Sequence, residues 1–118
     1  MTHPNFEFLR GRRPGFFHQL TKAERELHAD ADITRLRIRR VAEALSLEML
    51  DKSAIEPGKF LKDYIDEITE SSLGWEFAAP LDRIRKRCNA AAHEIPDEPS
   101  LRHINDTIHL LETLQKLL

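Results

Sequence analysis

Side chains able to move protons or hold negative charge gather in one short stretch, Ile84-Arg85-Lys86-Arg87-Cys88-Asn89-Ala90-Ala91-Ala92-His93. Arg85, Asn89 and His93 recur every four residues. Each step of four advances about 40° around a helix, so the three share roughly 80° of its surface as one polar stripe. An imidazole carries protons near neutral pH and a guanidinium steadies anionic charge, so such a stripe could do acid–base work or grip an anion. The same spacing also suits a structural part. The stripe borders a second series, Leu81, Ile84, Cys88 and Ala91, whose apolar character places it in a core. Asn89 is then partly buried and must find hydrogen-bond partners. His93, at the expected end of the helix, would bond its last carbonyls, where the macrodipole favours the cationic ring.

Basic residues fall into three clusters: Arg10, Arg12 and Arg13; Arg35, Arg37, Arg39 and Arg40; and Arg83, Arg85, Lys86 and Arg87. Arg35, Arg37, Arg40 and Arg85 are the candidates for an anion-binding face and hence for contact with nucleic acid. Against this stands the overall charge of −2, which disfavours strong nonspecific nucleic-acid affinity. Residues 1 to 50 carry nine Lys/Arg against seven Asp/Glu, and residues 51 to 118 carry nine against thirteen. Arg39 and Glu43 stand four apart, a spacing that by itself contributes only about 0.2–0.5 kcal/mol. No histidine pairs at helical spacing with another histidine or with the single cysteine, so no metal site and no cofactor is expected. Cys88 lies on the apolar series and reads as a small core filler.

The elements that must carry these residues follow from periodicity and punctuation. Pro4, Gly11, Pro14 and Gly15 mark residues 1–15 as an irregular arm, anchored by Phe6, Phe8 and Leu9, and residues 16–118 form the domain. A first helix runs from Phe16, with Leu20, Ala23 and Leu27 on one face, to near Ala29. Asp30 and Asp32 supply capping oxygens for a second, whose stripe is Ile38, Val41, Ala42, Leu45 and Met49. Glu56-Pro57-Gly58 is a turn, after which Phe60, Leu61, Tyr64, Ile65 and Ile68 define a third, acidic helix ended by Ser71, Ser72 and Gly74. Pro80 is tolerated only in a first turn, so the fourth helix begins close to Ala78. Ser100 caps a fifth that buries Leu101, Ile104, Ile108, Leu111, Leu114 and Leu118. No segment alternates as a strand would. The expected fold is all-α: an antiparallel bundle of about five helices. Leu110 and Leu117 fall outside the main stripe of the last helix and predict a second apolar seam, closed by a homodimer or by a partner subunit. The apolar runs are too short to span a bilayer, and the N-terminus lacks the pattern of a secretory signal, so the expected location is the cytoplasm, away from membranes.

The stretch from Ile84 to His93 resembles the signature of a helical domain of unknown function classed with the HEPN superfamily, which Arg85, Asn89, Ala92 and His93 match. Cys88 and Arg87 depart from it, where the family usually has glycine and an aliphatic residue. Leu36 to Glu43 is similar to the family's first core helix, with its arginine and glutamate at Arg39 and Glu43, for which the resemblance implies a structural ion pair with the fourth helix. Asn5-Phe6-Glu7-Phe8-Leu9 and Ala23-Glu24-Arg25 resemble the lead-in seen where the module sits at the N-terminus of type I restriction motor subunits. The resemblance spans nearly the whole chain and implies a HEPN-like bundle serving as an accessory interaction module of a bacterial restriction or genome-defence system, mediating protein association or nucleic-acid contact. Its alternative implication is a dimeric, metal-independent ribonuclease. In that reading Arg87 and His93 act as the catalytic pair with Asn89 beside them: the imidazole moves protons for 2′-hydroxyl attack and the guanidinium stabilises the phosphorane.

Overall fold

The computed structural model describes residues 6–93 and 101–118, and the side chains within those ranges apart from residues 90–93 and 101–103. Five α-helices follow a single 3-10 turn at Glu7–Leu9: α1 (Pro14–Glu26), α2 (Ala31–Met49), α3 (Leu61–Glu70), α4 (Gly74–His93) and α5 (Leu101–Leu117). No strand occurs among the described residues. The chain is therefore the all-helical bundle that the periodicity predicts.

From Phe6 onward the N-terminal arm is more regular than its glycines suggest. Phe6 and Leu9 are buried in the core, while Phe8 is exposed. Pro14 occupies the first position of α1, where its missing N–H costs nothing, so the helix starts two residues earlier than expected. It also stops earlier, at Glu26, because the backbone then turns into Asp30. That side chain accepts hydrogen bonds from the N–H groups of Asp32 and Ile33 at 3.1 and 3.2 Å, capping α2. Asp30 alone supplies the cap; Asp32 lies inside the first turn of α2.

At the other end of α2, Asp51 takes a left-handed conformation with φ 56° and the Lys52 N–H reaches back to the carbonyl of Leu47 at 2.8 Å, closing the helix with a Schellman-type bond. The Asp63 carboxylate accepts from the N–H of Phe60 at 2.7 Å and so caps α3 from its third position. The α3–α4 connection is tight. Gly74, expected to end α3, instead opens α4 at φ +68°, a conformation that disfavours a side chain.

Pro80 corrects the reading of α4. The helix begins at Gly74 rather than near Ala78, and Pro80 lies well inside it. The missing bond to the carbonyl of Glu76 is tolerated because Ala78, Leu81 and Ile84, on both sides of the proline, are fully buried and hold the helix against its neighbours.

The second helix is the hub: it packs against α1, α3, α4 and α5, whereas among the described elements α1 touches only α2 and the N-terminal turn, and α5 only α2 and α4. Because α5 has two neighbours, a wide arc of it is covered. Leu110 is 1% exposed and Leu111 fully buried, and Leu117 packs against the core. The apolar seam expected to require a partner is thus closed within the chain. Ser100, the expected cap of α5, lies outside the described residues. No helix of the described residues is long and apolar enough to cross a membrane.

Candidate functional site

Of the arginines of α2, Arg35 goes deepest. It is 7% exposed; its Nε donates to Thr107 Oγ1 of α5 at 2.9 Å and its Nη1 to the carbonyl of Arg87 in α4 at 3.0 Å. Its own carbonyl accepts the Cys88 thiol at 3.4 Å. Burial pulls its pKa down from the ordinary arginine value, with Cys88, Asp106 and Asp32 opposing. A side chain bound in this way joins three helices, with its guanidinium turned inward.

Arg37 is committed as well: Nε and Nη2 pair with the Glu26 carboxylate at 2.8 and 3.1 Å, and Nη1 donates to Gln19 Oε1 at 2.9 Å, fastening α2 to α1. The hydrogen bond raises Arg37 and lowers Glu26 from their ordinary pKa values. Arg85 turns to Asp82 on its own helix, with contacts of 2.9 and 3.1 Å. Burial pushes Asp82 up, but bonds from Lys86 and Arg85 outweigh it and hold its carboxyl below the usual range. Arg40 is exposed, at the rim of a mainly apolar groove of about 280 Å³ between α1 and α2 floored by Phe16, Val41 and Ala44.

Arg39, Glu43 and Asn89 come together. Arg39 donates through Nε to Glu43 Oε1 at 3.3 Å and through Nη1 to Asn89 Oδ1 at 3.0 Å, so a helical i, i+4 pair is extended across to α4. Half-buried Asn89 thereby gains an acceptor's partner, as a polar group beside a core must. Cys88 is 6% exposed, and burial pushes its thiol up to about 11, which removes it from nucleophilic chemistry near neutral pH. The His93 backbone closes α4, but its side chain lies outside the described residues.

Arg87 faces a different surroundings from Asn89. It is about half exposed and has one long contact, 3.8 Å, to Asp106 of α5. Around it opens a mainly polar cleft of about 410 Å³ between α4 and α5, lined also by Arg83, His109, Leu110, Glu112, Thr113 and Lys116. His109 Nδ1 lies 3.5 Å from Glu112. Arg83 and Lys116 are exposed, and neither forms an ion pair among the described residues. Sequence reading placed Arg83 in a basic cluster but passed over Lys116 and His109. The available signal was the i, i+4 spacing of Arg83 and Arg87, which puts both on one face of α4; which part of α5 lies opposite is a tertiary fact. No group of three His, Cys, Asp or Glu residues able to hold a metal ion occurs among the described residues.

No protein-family model, curated protein or solved structure matches this chain.

Proposed function

We propose that the chain is an accessory interaction module of a bacterial restriction or genome-defence system, mediating protein association or nucleic-acid contact. The observation that carries this reading is the employment of polar residues in and beside the matching stretches. Arg39 links Glu43 to Asn89 across two helices, and Arg35, directly ahead of Leu36–Glu43, links α2 to α4 and α5. Groups so engaged build a rigid helical platform and are not free to meet a reacting phosphate. The restriction or defence setting rests on the resemblance of Ile84–His93 and Leu36–Glu43 to the HEPN-like module.

The dimeric ribonuclease stays as a second reading for one reason: Arg87 keeps its guanidinium half exposed beside a polar cleft. Incubation with single-stranded RNA in chelator separates the two. The accessory module is expected to leave the RNA intact and to co-purify with restriction subunits of the same genome when they are expressed together. Metal-independent cleavage that disappears in both Arg87→Ala and His93→Ala would replace this reading with the ribonuclease.

A further inference from the structure

The cleft between α4 and α5 gathers exposed cations, of which only Arg87 has an ion-pair partner among the described residues. Arg35, Arg37, Arg39 and Arg85 are all engaged in bonds within or between helices. Arg83, Arg87 and Lys116, by contrast, converge on one cavity of about 410 Å³. Arg83 and Arg87 stand one helical turn apart, about 6 Å along the axis of α4. Lys116 reaches the same space from α5. Two carboxylates share the lining: Asp106 lies 3.8 Å from the Arg87 guanidinium and Glu112 lies 3.5 Å from the His109 imidazole. Three positive charges, on Arg83, Arg87 and Lys116, stand against two negative ones, on Asp106 and Glu112. The surplus is local, because the chain as a whole carries −2.

We propose that this cleft binds the phosphodiester backbone of single-stranded nucleic acid. Guanidinium and ammonium groups are the donors that phosphate recognition uses, Arg by paired N–H groups and Lys as a point charge. The lining is mainly polar and charged, with Leu110 its one aliphatic side chain and the His109 imidazole its one ring, so charge dominates what the cleft reads. It lies between two helices and is bordered by acidic residues, which suits a flexible strand that can lower one or two phosphates into it. A rigid duplex would have to lay its whole charged surface against an acidic protein. This inference supplies the nucleic-acid contact of the module proposed above and rests on that reading.

The test is fluorescence anisotropy with a short labelled oligouridine, its oligothymidine counterpart and a duplex of the same length, measured between about 50 and about 200 mM salt. The wild type is expected to bind both single strands more tightly than the duplex. Equal affinity for the two strands marks recognition of the phosphodiester alone, and a preference for one names the source, both in accord with the proposal. The double variant Arg83→Ala, Lys116→Ala removes two cations that hold no helix in place, so its melting temperature should match the wild type. Its affinity at low salt should fall by about tenfold, and its slope of log K against log salt by about 1.4 for two lost strand phosphates.

The control, Lys22→Ala with Arg25→Ala, removes the same charge from the exposed face of α1 and should change neither value. No binding to any probe, tighter binding to the duplex, or equal losses in the two double variants would each overturn the cleft. Failure of the cleft leaves subunit co-purification untouched. RNA cleavage in chelator, in turn, sinks the accessory reading without touching the binding loss that defines the cleft.

Discussion

A charged group taken out of water is tolerated only where its surroundings replace the solvent, and two residues of this bundle sit on opposite sides of that rule. Arg35 finds a hydroxyl on α5 and a carbonyl on α4. Glu24 is less well served: its Oε1 is buried without a hydrogen-bond partner, and burial raises its pKa above the ordinary 4.5. A carboxyl whose folded value is raised favours the folded state when protonated, and that contribution is lost as pH rises through the folded value. Glu24→Gln, which replaces the buried charge with a neutral amide, should therefore stabilise the protein at neutral pH by a few tenths to about 1 kcal/mol. The gain should shrink on acidification and vanish below about pH 4.5, where the glutamate is itself neutral. Urea titrations of both proteins across that range test this; a gain independent of pH would show that the carboxylate is not the cause. Arg35 was legible in principle. It falls with Ala31, Ile38, Ala42 and Leu45 at alternating spacings of four and three, the core series of α2, and all five are buried. Reading it as one of a basic run weighed its charge and neglected its register. Asn89 with Arg39 and Glu43 could be paired from the sequence because two of the three are local and the third borders a core stripe.

Helix boundaries were harder to read than helices, for reasons that differ from element to element. At α1 and α2 the errors are of one turn or less and follow from local choices: Pro14 at a first position, Asp30 rather than Asp32 as the cap. At α4 the tertiary structure overrides a strong local rule. An interior proline removes a main-chain bond and crowds the carbonyl four residues earlier, at a cost of about 3 kcal/mol in an ordinary helix. Buried Ala78, Leu81 and Ile84 offset it. Pro80→Ala should recover the bond to Glu76 while giving back part of the gain through a more flexible unfolded chain, for a net stabilisation of about 1–2 kcal/mol and a rise in Tm of roughly 3–8 °C. A calorimetric scan showing no rise, or a fall, would mean that the proline's shape is itself required in the packing. The same dependence on neighbours explains Leu110. A stripe analysis assumes one partner helix, and α5 has two, so residues on both sides of its main face are covered.

At the scale of the molecule, α2 organises everything and the other helices differ in how firmly they hold to it. Eight residues of α2 are buried, against Leu20 and Ala23 within α1. Among the described elements, α1 has no helical neighbour but α2, so its attachment depends on a small apolar strip and on discrete polar ties: Arg37 to Glu26 and Gln19, Thr34 Oγ1 to the carbonyl of Ala23 at 2.8 Å, and Arg13 to Glu48. A helix with few buried contacts opens by local fluctuation well before the whole domain unfolds. Amide hydrogen exchange should accordingly be faster across Phe17–Glu26 than across Ile38–Leu45. Arg37→Ala removes the strongest of the polar ties without touching α3, α4 or α5. Loss of these bonds, confined to that attachment, would speed exchange in α1 and leave the protection of Leu61–Glu70 and Leu81–Asn89 unchanged. A uniform acceleration throughout the chain would instead mean that α1 unfolds only with the rest, and that its single-neighbour packing is as cooperative as the core of α2.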